Sequence, residues 1–299
     1  MATTTIDNRQ PDTGPTPGAA SLRWRKQFRK HVLPRLILIP FAAFFLLPLY
    51  WMLATAVKTI PELSVYPPTF FPETFRIQNF VDATTVFPFW QYLRNTLVIT
   101  ILSVIGAAIS NPIIAYGFSR VDWPGRDKIF GLVLATVFIP YPVLIVSLYD
   151  IYSRLGWINT ILPLVVPLFF GNAFWIFLMR QFFMRIPREL GEAARLDGAS
   201  EMRILWQIIL PQSYAAVSVV CLFAALHAWN DFLGPYLYLQ EADNYTLAIG
   251  LTFFRSASQY DVQFNLLMAA SALVVAPVVV LFLCFQRFFI EGVQIGSFK

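Results

Sequence analysis

The sequence predicts an all-α, polytopic membrane protein with six transmembrane helices, and three observations predict it. First, the 299 residues are 57% hydrophobic, 16% aromatic and only 13% charged, with a mean hydropathy of +0.61. Soluble domains carry roughly 25% charged residues, and a soluble protein of this size cannot hide so much apolar surface. Second, apolar runs recur at about 36–57, 95–118, 129–150, 161–180, 212–234 and 267–289. Each is close to the ~20 residues a helix needs to cross ~30 Å of hydrocarbon. Third, Lys and Arg are distributed asymmetrically between the loops. With a cytoplasmic N-terminus, 17 of the 22 fall on the cytoplasmic side, and only Lys58, Arg76, Arg94, Arg154 and Arg255 fall on the other. The positive-inside rule therefore holds at every loop, and six crossings return the C-terminus to the cytoplasm. Helices follow from the medium, since an isolated helix satisfies its own backbone in lipid.

Taken in order, residues 1–22 are rich in Thr, Pro, Gly and Ala without apolar periodicity and predict a disordered tail. RWRKQFRKHVLPR completes a basic cytoplasmic arm over 1–35, and one membrane domain occupies 36–299. The first apolar run competes with a cleavable signal, given the basic flank and Ala54-Thr55-Ala56. At roughly 18 residues or more it exceeds the ~7–15 of a signal core, which favours a retained helix. Prolines are frequent inside the crossings, and FIPYP, with Pro140 and Pro142, is the densest break. A structural kink and a pore-facing segment both fit it. HAWNDFLGPY ends the fifth run with Asn230 and Asp231, which suit either the translocation pathway or an inter-helix hydrogen bond. Its Trp and Tyr residues suit the headgroup belt. Segments 58–94 and 235–266 are too short for an independent enzyme domain.

The motifs of catalysis are missing. There is no GxxxxGK[ST], HExxH or GxSxG, and no Cys/His metal spacing, so the expectation is a chain with no catalytic residue, no metal and no cofactor of its own. Cys221 and Cys284 lie far apart inside apolar runs and read as buried thiols. The formal charge of +5 is explained by bilayer anchoring, so no nucleic-acid partner is expected.

One stretch breaks the apolar pattern. ELGEAARLDGASEMRILWQIILP, Glu189 to Pro211, lies in the cytoplasmic loop 181–211. Pro187 can start a helix, and Glu189 and Glu192 favour its early turns. Asp197-Gly198 stops it through a left-handed cap, and Ser200 can cap a second helix that runs to Pro211. Gly191 should loosen the first helix by ~1 kcal/mol relative to alanine. A surface of small residues flanked by charge suits a groove on another protein, or a connector lying on headgroups.

The spacing Glu192-Ala193-Ala194, three residues, Gly198, nine residues, Ile208, one residue, Leu210-Pro211 resembles the EAA loop of permease subunits in bacterial ABC importers. WNDFLGP, LRNTLVIT, FIPYPVLIVSLYDIYSRLGWINT and QRFFIEGVQIGSFK resemble the carbohydrate-uptake branch, in particular the maltose-type "G" permease, from about residue 36 onward. The resemblance implies a type I ABC importer permease fold in a bacterial cell membrane. It implies a second, non-identical permease, two cytoplasmic ATPase subunits that use ATP and Mg, and an extracytoplasmic solute-binding protein delivering sugar. It makes Glu192, Ala193, Ala194, Asp197, Gly198, Ile208, Leu210 and Pro211 the ATPase-coupling set, with Asn230, Asp231, Pro140 and Pro142 as pathway candidates. A stand-alone channel, a secondary transporter and a non-transporting scaffold are the competing readings. No clear repeat between halves favours the transporter with inverted repeats.

Overall fold

The computed structural model describes residues 33–256 and 263–294, with side chains over 34–254 and 263–286. The tail and most of the basic arm expected over 1–35 lie outside the described residues, as do positions 295–299. Among the described residues the structure is helical, with no strand. Two compact units are distinguished, up to Ala54 and from Thr55. The described part of the first lies in the helix α1 (Leu33–Ala56), apolar on all sides beyond Arg35, with Pro40 and Pro48 inside. A helix apolar on every side is a membrane span rather than a surface helix.

The second unit is organised around α2 (Phe89–Ser119), a 31-residue helix about 46 Å long at 1.5 Å per residue. Its composition is inverted relative to a soluble helix. Thr96, Thr100, Ser103, Gly106, Ala107, Ser110, Asn111 and Ala115 are buried, at helical spacing on one face. Leu97, Ile101, Ile105 and Ile109, four apart, are exposed. Small and polar residues inside with large apolar residues outside is how helices pack in lipid, where close backbone approach and hydrogen bonds bind helices together. Gly106 shows the approach directly. A Cβ placed there would lie 2.7 Å from the Phe169 ring.

Five further long elements follow in this unit: α3 (Arg126–Ala135), α4 (Tyr141–Arg154), α5 (Ala173–Phe183), then α6 (Arg188–Leu196) and α7 (Glu201–Gln212) in the polar loop. Two more, α8 (Tyr214–Asn230) and α9 (Phe264–Gln294), close the chain. Among the described residues, four helices are long and apolar enough to cross a membrane: Pro34–Ala56, Phe89–Ser119, Leu162–Phe183 and Phe264–Gln286. The count reaches six when each of two bent pairs is one span. The run at 129–150, read as one crossing, is such a pair: α3 and its 3-10 extension meet α4 at 100°. The cause is local. Pro140 drives Ile139 into extended backbone (φ −80°, ψ 112°). Pro140 then stands at the N-cap of α4 and Pro142 in its first turn, where a missing N–H leaves nothing unpaired. These prolines begin a helix instead of kinking one. The other bent pair joins the loop helix α7 to α8 at 87°, at the buried Ser213, where the run read as 212–234 begins.

The fourth run is also interrupted. After a 3-10 turn over Val166–Phe170, Gly171 takes a left-handed φ of 89° and α5 restarts. Asn172 caps α5 by accepting from the N–H groups of Phe174 and Trp175. The fully buried Asn111 of α2 accepts from Asn172 N–H at 2.8 Å and donates to Ala107 O at 2.7 Å. Ser110 Oγ donates to Leu168 O at 3.0 Å. Non-helical backbone at membrane depth needs such protein partners. The polar face of α2 provides them.

Two cores flank α2. One gathers Tyr116, Phe118, Phe130, Met179, Phe183, Ile204, Leu205 and Ile209. The other gathers Ala83, Phe87, Tyr92, Trp229, Leu247, Phe254 and Leu266. The second core is joined by the 57–88 segment, where Asn79 Nδ2 donates to Ala56 O at 2.8 Å and Lys58 O at 2.9 Å.

Candidate functional site: a capped helical loop

The loop joining α5 to α8 is built in three parts. Pro187 (φ −54°, ψ 136°) stands at the N-cap of α6, which runs unbroken through Gly191 to Leu196. Gly191 is buried, and a Cβ there would stand 3.9 Å from Ile204 Cγ2, an ordinary contact. The turn that follows is a Schellman cap. Gly198 has φ +81°. Its N–H donates to Arg195 O at 3.0 Å, and Ala199 N–H donates to Ala194 O at 2.9 Å. Only a residue without Cβ strain adopts this φ cheaply. No neighbour lies within 4 Å of a Cβ built at Gly198, so the glycine is required by the backbone and not by crowding.

Ser200 then caps α7 by accepting from Arg203 N–H at 3.4 Å. A π-turn spans Leu205–Ile209 just before Pro211. Ile204, Leu205 and Ile209 are each no more than 1% exposed and lie in the core with Met179 and Phe183. That anchors the outgoing arm. Across the turn, Arg195 grips Glu201 with both nitrogens, Nε to Oε1 at 2.6 Å and Nη2 to Oε2 at 3.1 Å. Tyr116 of α2 donates its hydroxyl to the same carboxylate. The hydrogen bonds from Arg195 hold the Glu201 carboxyl below the usual carboxylate range, partly opposed by desolvation and helped by Tyr116.

The sequence-derived coupling residues divide between two faces. Glu192, Ala193, Asp197, Gly198 and Pro211 are exposed. Ala194, Ile208 and Leu210 are half-buried against the chain's own core. Ala194 therefore serves internal packing, and Ala193 presents the small surface outward. Leu196 joins that outer surface at 90% exposed. Its place in the helix was readable from the sequence, but its near-complete exposure was not.

The pathway candidates are placed differently. Asn230 Nδ2 donates to Leu226 O on its own helix at 2.8 Å. Asp231 ends α8 and its Oδ1 accepts from Gly234 N–H at 3.1 Å. A Cβ at Gly234 would strike Asp231 Oδ2 at 2.5 Å. Asp231 therefore shapes the turn after α8, while Asn230 bonds back onto its own helix. Pro140 and Pro142 flank Tyr141, whose hydroxyl meets that of Tyr238 at 3.1 Å, so FIPYP and WNDFLGPYLY are brought together through two tyrosines. Only the Gly-Asn pair between apolar runs could have signalled Asn111, Asn172 and Gly171 as a helix-restart device. Among the described residues, no three His, Cys, Asp or Glu side chains group to hold a metal.

Comparison with known proteins adds the family. Residues 105–294 match the model for the binding-protein-dependent transport system inner membrane component. The chain is 31% identical over 231 residues to the arabinooligosaccharides transport system permease protein AraQ of Halalkalibacterium halodurans, covering 77% of this chain and 82% of that protein. It is 28% identical over 264 residues to the diacetylchitobiose uptake system permease protein NgcG of Streptomyces coelicolor, covering 88% and 87%. It is 30% identical over 256 residues to the sn-glycerol-3-phosphate transport system permease protein UgpE of Escherichia coli, covering 84% and 91%. In fold it resembles a chain of a bacterial ABC transporter that imports the acidic polysaccharide alginate, with a TM-score of 0.75 at 21% identity over 89% of this chain and 98% of that one. The multi-pass helical fold, its inverted membrane packing and the match over most of its length place this chain in the family of binding-protein-dependent transport system inner membrane components.

Proposed function

We propose that the chain is a permease subunit of an ATP-driven carbohydrate importer, and that residues 188–211 dock into a cytoplasmic ATPase. The observation that carries the reading is the construction of the loop. A short helix displays Glu192, Ala193 and Leu196 outward, is stopped by the left-handed Gly198, and is anchored to the membrane core by Ile204, Leu205 and Ile209. A rigid helix whose outer face sets the small Ala193 and apolar Leu196 beside the Glu192 carboxylate suits insertion into a groove, because small side chains allow close approach. An anchored turn can pass motion to α5 and α8, to which the loop is joined. ATP-driven movement shifts access only if the ATPase binds the two permease states with different affinity.

In this reading the chain forms half of a pathway together with a second, non-identical permease. Two ATPases use ATP and Mg, and an extracytoplasmic binding protein delivers solute. Its domain is 36–299 with coupling loop 181–211, and both termini are cytoplasmic, as the Lys and Arg count supports. The substrate class is an oligosaccharide or a related polar solute, supported by relatives whose names record arabinooligosaccharide, diacetylchitobiose and glycerol phosphate transport.

Gly198→Val tests the loop. A β-branched residue at this φ is strained by at least about 1–2 kcal/mol, so the cap opens. Uptake and co-purification of the ATPase should fall about tenfold or more, while the chain still inserts in the membrane. Undiminished uptake by the variant would count against docking through this turn.

A further inference from the structure

The coupling loop is held on both sides of α6 by one helix to which it is not joined in sequence. Tyr116 and Arg120 lie four residues apart, one turn, at the cytoplasmic end of α2. Tyr116 donates to Glu201 at the start of α7. Arg120 Nη2 donates to the carbonyls of Phe183 and Ile186, and its Nη1 reaches Pro187 O at 3.4 Å. The last carbonyls of a helix have no partner within it. Here α5 ends at Phe183, and α6 begins after Pro187 without a side-chain cap. The junction between them is thus a place where backbone acceptors are satisfied from another helix, by a forked cation suited to several carbonyls at once. Arg195 completes the frame by linking α6 to Glu201, the carboxylate that Tyr116 also holds.

We infer that Tyr116 and Arg120 are positioning residues that pass movement of the coupling loop to α2, making α2 a driven element alongside the covalently joined α5 and α8. The inference rests on the docking reading above and extends it. Connection through α2 matters because this helix reaches from the loop to the second core. Its polar face also holds the restart of α5 through Asn111. A displacement at Pro187 and Glu201 therefore reaches the far core along one continuous helix, with Pro112 inside it. Without these bonds, the loop can move with the ATPase while α2 stays behind.

The test uses the assembled importer in proteoliposomes with its partner permease, ATPases and binding protein. Solute imported per ATP hydrolysed is measured for Tyr116→Phe and Arg120→Lys. Tyr116→Phe keeps the buried ring and removes only the hydroxyl. Arg120→Lys keeps the charge but cannot reach three carbonyls together. In both variants the ATPases should stay bound, and the ratio of transport to hydrolysis should fall about tenfold, the scale of one charge-assisted hydrogen bond made in only one of two states. A merely structural role would lower the yield of assembled complex and leave the ratio unchanged. An unchanged ratio in both variants, or loss of ATPase binding in both, overturns the inference. Failure of the wild-type chain to retain an ATPase at all overturns the docking reading itself, and this inference with it.

Discussion

Two residues of the loop show how little chemistry separates a support from a contact. Gly191 looked from the sequence like a weak point in α6, yet the helix is continuous there and the glycine packs beside Ile204. Its φ is not left-handed, and a Cβ would make an ordinary contact, so Gly191→Ala should stabilise the protein by about 0.5–1 kcal/mol. A raised Tm of the purified protein in detergent checks it. Gly198 is the opposite case, because the backbone itself demands glycine. Glu201 provides a pH signature. Its carboxyl is depressed in the fold by Arg195, so its contribution is complete above the ordinary value of about 4.3 and is lost as pH falls through the depressed one. The Tm difference between wild type and Glu201→Gln should be constant from neutral pH to about 5 and shrink steadily as pH falls below the ordinary carboxylate value of about 4.3. A difference that grows on acidification would contradict the assignment. Gly198 and Ser200 were legible in the sequence because cap residues carry local chemistry. The Tyr116–Glu201 bond was not, since it joins residues 85 apart.

At the scale of elements, α2 carries the fold. Its small residues admit neighbours and its asparagine repairs the break in the fourth span. Gly106→Val should destabilise by about 1–3 kcal/mol because the Phe169 ring cannot clear a side chain 2.7 Å away without shifting. Gly117→Ala on the same helix meets nothing within 4 Å and should be neutral or slightly stabilising. Thermal unfolding in detergent separates the two. Equal losses would mean that α2 is not packed as described. Hydropathy located α2 well because one long run fills it. It located the third and fourth runs less well, because composition is the same on either side of a bend. The 100° bend between α3 and α4 is written in Pro140 and Pro142, but two prolines in a row of apolar residues do not state whether they kink a helix or begin one. The restart at Gly171–Asn172 depends on Asn111, 61 residues away, and no local pattern reports that partner.

At the scale of the whole molecule, membership in the transport family follows from fold and similarity, and the orientation rests on charge. In a background with Cys221 and Cys284 replaced, Glu73→Cys should be labelled by an impermeant maleimide in intact cells. Lys128→Cys should be labelled only after permeabilisation. The reverse pattern would invert the molecule and place its charged loop on the wrong side for any ATPase. The central claim is that the face of α6 is a docking surface, and Leu196, 90% exposed at its end, is the most direct reporter. Cross-linking from Leu196→Cys in membranes containing the assembled importer should capture the ATPase subunit, and Gly198→Val in the same chain should abolish that product. A Leu196→Cys variant that transports normally yet forms no ATPase adduct, or is reached by impermeant reagent from outside the cell, would contradict the account.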